Sequence, residues 1–304
     1  MLYSRPDIRV SQCTLNQPIH CSGIGPQHRR QVTLDLLPAP VGSGIHVLRR
    51  DVDIARGLIA SEWHNIVETH PRTLLANEHG VSVSGIEPLM AALRGCGIDN
   101  VLIEVNDCEI PLLDGSSASW VAMISRAGII AQGMARYGMW IDDFVAVRSG
   151  EHYAFVKPSV MPAITIDVKS RDGDRIWNPL SLGLLDHVFE YEIAPARNPD
   201  FIHLVDSGFD STESYTGKRD EPRFSDEAAR YRVLECLGML AFADAPLFGH
   251  LYLYNPSSFL LHALLSELSE ARDTWRVMSY AKINQMTGGV ASASYQKREV
   301  ARNS

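Results

Sequence analysis

The chain presents the same order of hydrophobic patterns twice, strands first and then helices, and this order constrains the fold more than any other feature. In the first half, the alternating stretches "QCTLNQPIHC" and "RQVTLDLLPAP" precede the helical "PLMAALRGCG", the strand "NVLIEV" and the helical "GSSASWVAMISRAG". In the second half, "MWIDDFVAVRSGEHYAFVKPS" and "MPAITIDVKS" precede the helix "EAARYRVLECLGMLAF", the strand "GHLYLYN" and the helix "SSFLLHALLSELSEA". The pattern predicts an α+β protein of two structurally repeated domains.

We expect the first domain to span residues 1–130 and the second 131–282. The 304 residues are 45% hydrophobic and 21% charged, which is enough apolar material for two such cores. Residues around 130–138 are only loosely patterned. Residues 283–304 are polar, small and charged, and we expect a flexible tail there.

Charge and cysteine content narrow the possible partners and the compartment. A formal charge of −8 argues against nucleic acid, because an acidic surface repels phosphates. The five cysteines form no CxxC pair, so free thiols in a reducing compartment are expected. The start "MLYSRPDIRV" lacks the apolar stretch of a signal peptide, and no run reaches transmembrane length. We therefore expect a cytoplasmic protein without an integral membrane segment.

One long stretch, "TLLANEHGVSVSGIEPLMAALRGCGIDNVLIEVNDCEIPLLDGSSASWV", resembles the first-domain signature of the zinc-dependent UDP-3-O-acyl-N-acetylglucosamine deacetylase family of lipid A synthesis. The later "RFSDEAARYRVLECLGMLAF" and "GHLYLYNPSS" fall in that family's order, so the resemblance covers roughly residues 9–278. It implies two α+β domains, each a small β-sheet packed on two helices, with the site in the cleft between them. An acylated or nucleotide-sugar-like small molecule is the ligand that it implies.

The metal positions depart from the family pattern. The resemblance implies a zinc ion held by two histidines and one aspartate, which activates a water for attack on an amide. The three corresponding positions hold Pro88, Tyr231 and Glu235. Proline has no side-chain lone pair to donate and a neutral tyrosine is a poor substitute for imidazole, so we expect no zinc there and no other cofactor.

Most of the remaining functional positions are also replaced. The resemblance assigns the general base to Glu87, which is unchanged, and makes Glu87, Arg232 and Asn198 the candidate catalytic residues. Arg232 replaces a lysine on the phosphate side, and Asn198 replaces a threonine. The general-acid histidine corresponds to Ser258 and its orienting aspartate to Met239. In the glycine-rich motif near the amino terminus, the family's Leu-His pair is Pro26-Gln27.

Each of these residues also has a purely structural interpretation. Ser84 and Glu87 have the spacing of a helix capping box, while Pro88 suits the first helical turn and disfavours helical dihedrals at Glu87. Glu87 is then either a carboxylate at a helix N-terminus or an acid/base. The stripe of Tyr231, Glu235 and Met239 is more typical of packing than of chemistry. Ser258 is more typical of an N-cap than of a nucleophile.

A displaced metal site has weak support in the sequence. Histidines are available at several places, and Glu235 and Cys236 lie on the former ligand helix; the histidines considered are His28, His79, His250 and His262. No HxxE, HExxH or CxxC pair supports a new site. His262 lies among leucines and is expected to be a half-buried helix residue.

The second domain also differs from the family in length. Between Phe201 and the following "SGFD", the chain is shorter in the region where family members insert an element around the fatty acyl chain. The resemblance therefore implies a shallower or absent acyl passage.

Three functions remain open from the sequence. The first is a divergent, zinc-independent family member with altered chemistry, in which Glu87 acts as acid/base and Arg232 and Asn198 stabilise an anion. The second is a catalytically inactive pseudoenzyme that binds or regulates. The third is a metal-dependent amide hydrolase with relocated ligands. Activity belongs to the site more than to the fold, so whether the protein is an enzyme stays open here.

Overall fold

The computed structural model describes residues 10–69, 72–169, 179–184, 186–198 and 221–288. Within them, the predicted α+β architecture is confirmed. The strands of the first half are β1 (Ser11–Leu15), β2 (Ile19–Ile24), β3 (Gln31–Pro38), β4 (Ile45–Arg49), β5 (Leu58–Ala60), β6 (Ile66–Thr69), β7 (Arg72–Ala76), β8 (Ser82–Ser84), β9 (Val101–Val105) and β10 (Ile129–Ala135). Its helices are α1 (Ile54–Gly57), α2 (Glu87–Gly95) and α3 (Ala118–Ala127), with a 3₁₀ turn at Trp63–Asn65.

The second half repeats the pattern of strands followed by helices. Its strands are β11 (Tyr137–Ile141), β12 (Val145–Ser149), β13 (His152–Lys157), β14 (Ala163–Asp167), β15 (Leu180–Gly183), β16 (Leu247–Phe248), β17 (His250–Tyr254) and β18 (Trp275–Ser279). Its helices are α4 (Asp186–Val188), which continues into a π-helical turn at Phe189–Ile193, then α5 (Glu227–Leu240), α6 (Ser258–Glu270) and α7 (Tyr280–Met286).

The two five-stranded sheets have the same topology. Their strand orders are β2-β3-β9-β4-β5 and β12-β13-β17-β14-β15. In each sheet a hairpin pairs antiparallel with a late strand, and that late strand pairs parallel with the fourth strand of the order. The chain order of strands and helices also matches, since α2-β9-α3 corresponds to α5-β17-α6. The predicted structural repeat therefore holds at the level of strand pairing.

Alternation along the strands explains which face of each sheet is buried. In β13, Ala154 and Val156 are fully buried, while Tyr153 and Phe155 on the other face are partly exposed. Helix α6 packs against β12 and β13, and α3 packs against β2. Period-two alternation thus directs one apolar face of the sheet towards the helices.

Helices from the two halves pack directly against each other. Helix α2 contacts both α3 and α5, and α5 contacts α6. One continuous cluster of buried apolar side chains extends from Leu15 in the first half to Leu268 in the second. The contact between α2 and α5 therefore joins the helical layers of the two halves.

Two details depart from the sequence predictions. The loosely patterned stretch forms β10, which pairs antiparallel with β1, and the start of β11. Helix α7 crosses the proposed boundary at residue 282, and its Ile283 is fully buried.

All five cysteines are free, as predicted. Across the described residues, no helix is both long and apolar enough to traverse a lipid bilayer.

Candidate functional site

Glu87 is the first residue of α2 and Pro88 the second. The N-cap residue, Ile86, has right-handed helical dihedrals (φ −82°, ψ −14°). The prediction that Pro88 keeps Glu87 out of the helix is therefore wrong. The restriction on a residue before proline is a bias, and Pro88 needs no N–H partner in the first turn.

Ser84 and Glu87 do not form the capping box that their spacing suggests. The N-cap residue of α2 is Ile86, and no side-chain hydrogen bond caps the helix there. Ser84 Oγ accepts a hydrogen bond from Gln27 Nε2 at 3.1 Å and donates one to the Cys108 carbonyl oxygen at 3.4 Å. These partners turn the serine away from the helix N-terminus. The Glu87 side chain is half-buried there.

Helix α5 approaches the start of α2 at Gly238. A Cβ atom at this position would overlap the backbone carbonyl oxygen of Glu87. Glycine therefore lets the two helix backbones come closer than any other residue would allow. This contact fixes the position of Glu87 along the axis of α5, relative to the side chains of that helix.

The stripe of Tyr231, Glu235 and Met239 lies on α5 as the helical spacing predicts. Tyr231 is 5% exposed and Met239 2% exposed, and both belong to the continuous core. Glu235 is partly exposed. Met239 packs in the core, as the packing interpretation predicts.

Tyr231 is the meeting point of the candidate residues. Its pKa is raised well above the usual value of a phenol, first by burial and then by the negative charges of Glu235 and Glu87. A hydrogen bond with the Asn198 side chain opposes this shift. At neutral pH Tyr231 is therefore a protonated phenol beside two carboxylates. The fold thus brings together four candidate residues from three segments of the chain: Glu87 from α2, Asn198, and Tyr231 and Glu235 from α5.

Asn198 lies in a segment that is tied to both halves of the molecule. Its backbone N–H donates to the Gly115 carbonyl oxygen at 3.1 Å. The preceding Arg197 is buried and donates from Nε to Glu227 Oε1 at 2.8 Å. The Arg197 backbone N–H donates to the same oxygen at 2.9 Å. Because Glu227 is the first residue of α5, this ion pair holds Asn198 in register with Tyr231.

Arg232 lies on the outer side of α5. Its Nη1 is 2.7 Å from Glu235 Oε2, and the Arg232 side chain is 50% exposed. The guanidinium therefore offsets the charge of Glu235 and reaches solvent, where it remains accessible to an anion.

Ser258 is not the cap of α6. The N-cap is Ser257, whose Oγ accepts from the Leu260 backbone N–H at 3.2 Å. The predicted capping role is thus wrong by one residue, because the extended dihedrals that a cap requires occur at Ser257 (φ −138°, ψ 160°). Ser258 is the first residue of the helix and is partly buried.

The residues at the three positions that the resemblance assigns to zinc do not fit this ion. Pro88 supplies no ligand atom, and Tyr231 offers a buried phenol instead of the nitrogen, sulfur or carboxylate ligands that zinc prefers. Glu235 is paired with Arg232. One carboxylate beside a neutral phenol and a proline lacks the three donors that zinc requires from a protein.

The relocated ligands considered from the sequence are not assembled around α5. His262 is half-buried, as predicted, and its ring centroid is 5.9 Å from that of Trp63. Cys236 is buried in the core. Among the described residues, the group of three potential ligands whose donor atoms lie within 4.8 Å of one another consists of His28, Asp107 and Cys108.

Two contacts around the site were not anticipated from the sequence. Ser117 Oγ donates to the Pro88 carbonyl oxygen at 2.6 Å, although a serine at this helix start predicts only a cap. Glu109, 1% exposed, accepts from the backbone N–H groups of Gln27 (2.9 Å) and His28 (3.2 Å). The glycine at position 25 is the sequence feature that fits this second contact, because a Cβ atom there would lie 2.5 Å from Glu109 Oε2.

The segment after Phe201, which the sequence analysis expects to be shortened, lies outside the described residues.

Comparison with known proteins identifies the family of the chain. The sequence model of the UDP-3-O-acyl N-acetylglycosamine deacetylase family matches residues 12–208. A UDP-3-O-acyl-N-acetylglucosamine deacetylase of Syntrophotalea carbinolica is 30% identical over 283 residues, covering 88% of this chain and 91% of the relative. The enzyme of the same name from Shewanella woodyi is 29% identical over 289 residues, covering 90% and 94%. The chain belongs to the UDP-3-O-acyl-N-acetylglucosamine deacetylase family.

Proposed function

We propose that the protein is a zinc-independent member of its family that binds a small acylated or nucleotide-linked ligand between its halves, with Glu87 as acid/base. The observation that carries the proposal is the convergence of Glu87 and Glu235 on the buried phenol of Tyr231. These residues occupy the positions that the resemblance assigns to the base and to two metal ligands. Tyr231, an ionisable group with a perturbed pKa at such a position, favours retained chemistry.

The roles follow from the protonation states. Glu87 takes a proton from a water or from the ligand. Tyr231 keeps its own proton, so its phenol donates a hydrogen bond to an oxygen on which negative charge develops. Asn198 orients the phenol through their shared hydrogen bond. Arg232, on the exposed side of α5, faces an anionic group such as a phosphate.

The proposed class of ligand follows from the substrate of the relatives and from the length of the segment after Phe201. The relatives are deacetylases of an acylated nucleotide sugar. The shortened segment after Phe201 favours a ligand with a short acyl group or none.

The test uses metal-free protein in a chelating buffer, with UDP-N-acetylglucosamine and its 3-O-acyl derivatives of short and long chain as probes. Calorimetry measures binding, and mass spectrometry detects any product. We expect a short-chain probe to bind and to be converted, and Glu87→Gln to bind it equally while losing conversion by roughly a hundredfold or more. Glu78→Gln is the matched control, because Glu78 is 87% exposed. Acetate release that a chelator abolishes and zinc restores would overturn zinc independence.

The burial of Tyr231 favours a second candidate, the catalytically inactive pseudoenzyme. At 5% exposure, the phenol offers little surface to a ligand. A pseudoenzyme would bind a probe without converting it, and Glu87→Gln would leave both properties unchanged.

A further inference from the structure

Two turns at one end of the first sheet bring three potential metal ligands together. His28 lies in the turn between β2 and β3, and Asp107 and Cys108 lie in the bend after β9, one residue beyond its end. Because β3 pairs with both β2 and β9, the two turns meet beside the same strand. His28 is 80 residues before Cys108, which explains why no spaced motif indicated the site.

The three donor atoms form a small triangle. Cys108 Sγ is 3.5 Å from His28 Nδ1 and 3.3 Å from Asp107 Oδ1. His28 Nδ1 is 4.0 Å from Asp107 Oδ1. Donor atoms bound tetrahedrally to one zinc ion are roughly 3.3–3.8 Å apart, given metal–ligand distances of about 2.0–2.3 Å. The triangle therefore needs only a small contraction of its longest edge.

We propose that His28, Asp107 and Cys108 form a zinc site that is separate from the family's metal position. Imidazole nitrogen, thiolate sulfur and carboxylate oxygen are ligands that zinc accepts together. The site depends on neither the proposed reaction nor the ligand of the cleft residues. The site is accessible from solvent, because the His28 side chain is 47% exposed.

The surroundings hold the triangle in place. Glu109 Oε1 is 3.0 Å from His28 Nδ1, and the buried Glu109 carboxylate accepts from the backbone N–H groups of Gln27 and His28. It thus holds the turn that carries His28. Its contact with Nδ1, the nitrogen that faces the other two ligands, would give way to the bound ion. Arg30 Nη1 lies 3.9 Å from Asp107 Oδ2 and offsets part of the remaining negative charge. A bound ion would clamp the tip of the β2–β3 hairpin to the end of β9.

The test measures metal on the full-length protein, stripped with chelator and then equilibrated with zinc or cobalt(II). We expect about one equivalent of zinc after gel filtration, and with cobalt(II) the charge-transfer absorption of a metal–thiolate bond. Cys108→Ser should abolish that absorption. Each of Cys108→Ser, His28→Ala and Asp107→Asn should weaken zinc binding by more than about tenfold, since even partners beyond the ligands cost that much when removed. His20→Ala should have no effect, because it removes an exposed histidine that pairs with Asp35 on the same hairpin.

Circular dichroism of each metal-free variant checks that the variant is folded, and a zinc-dependent rise in the wild-type melting temperature is a second readout that needs no variant. Failure of the wild-type protein to bind either metal would overturn the site. So would zinc binding that survives in all three ligand variants. If Glu235→Gln abolished zinc binding while Cys108→Ser did not, the ion would lie at the family's position, and zinc independence would fail as well.

Discussion

At the scale of single residues, the family's reactive positions have been replaced by side chains that suit their local structure. Pro88 fits the first turn of α2, where a missing N–H costs nothing. Met239 is buried in the core and Ser258 opens α6. Tyr231 differs from these residues because its buried hydroxyl has a specific partner in Asn198. A buried polar group that served packing alone would be replaced by phenylalanine at little cost.

Tyr231→Phe tests this distinction. We expect the variant to fold and to lose about 1 kcal/mol of unfolding free energy, because Asn198 is left without its phenol partner. Urea denaturation measures the change. Tyr254→Phe is the control, since Tyr254 is only partly buried and stacks on Tyr153 with ring centroids 4.8 Å apart. Equal stability of Tyr231→Phe and the wild type would show that the hydrogen bond contributes nothing to folding.

At the scale of elements, the contact between α2 and α5 depends on Gly238. Because an added Cβ would overlap the Glu87 carbonyl oxygen, Gly238→Ala must separate the helices. We expect a loss of about 1–3 kcal/mol in unfolding free energy, despite the higher helix propensity of alanine. Gly183→Ala is the comparison, since the atom nearest to its Cβ, Met161 Cε, would be 3.8 Å away. A stabilised Gly238→Ala variant would contradict the close approach.

The ion pair at the start of α5 predicts a dependence of stability on pH. Burial alone would raise the pKa of Glu227, but hydrogen bonds from the Arg197 side chain and from the backbone N–H groups of Arg197 and Arg223 lower it. A lowered pKa in the folded state means that Glu227 stabilises the fold fully above its unfolded pKa of about 4.3. This contribution disappears as the pH falls from there through the folded-state pKa.

Glu227→Gln should therefore cost about 3–5 kcal/mol at pH 7, because it leaves the buried Arg197 charge uncompensated. The gap between variant and wild type should narrow in acid, where the wild-type carboxylate is protonated. Denaturant titrations from pH 7 to pH 3 measure it. Glu78→Gln should follow the wild type at every pH. A gap that stays constant down to pH 3 would rule out an ionised Glu227 as its cause.

The elements of this fold were largely predictable because their signals are local. Alternation identified β13 and β17, and helical spacing identified α2 and α5. Strand β10 was missed because it forms a two-stranded pair with β1 and most of its side chains are partly or fully exposed. With no fully buried face, its sequence does not alternate between apolar and polar residues. Glu87 lies in the helix although it directly precedes Pro88, because packing of α2 against α3 and α5 outweighs the preference of a residue before proline.

The site was predictable only in part, since its geometry is not local. The resemblance identified Glu87, Tyr231, Glu235 and Asn198 as positions, but their meeting depends on the approach of α5 to α2 and on the ion pair before Asn198. The cluster of His28, Asp107 and Cys108 arises from strand pairing in the same way. Spacing along the sequence carries no signal for either arrangement.

At the scale of the whole molecule, the repeated halves share one core. The apolar cluster is continuous across them, and the ring of Phe189 in the second half packs against Gly95 in α2, where a Cβ would overlap it. Arg94 of α2 donates to the carbonyl oxygens of Ala241 (3.3 Å) and Ala243 (3.5 Å) beyond α5. Two halves joined in this way should unfold together, although each has the sheet topology of a domain.

We therefore expect a single unfolding transition in urea. Tryptophan fluorescence reports on both halves through Trp120 and Trp140, and far-ultraviolet circular dichroism reports on the helices; the two midpoints should coincide. Residues 1–130 expressed alone should show no cooperative transition, because the face of α2 that packs against α5 would be exposed to water. Two separated transitions, or a cooperative one for residues 1–130, would show that the halves are independent domains and that the interface between α2 and α5 contributes little to either.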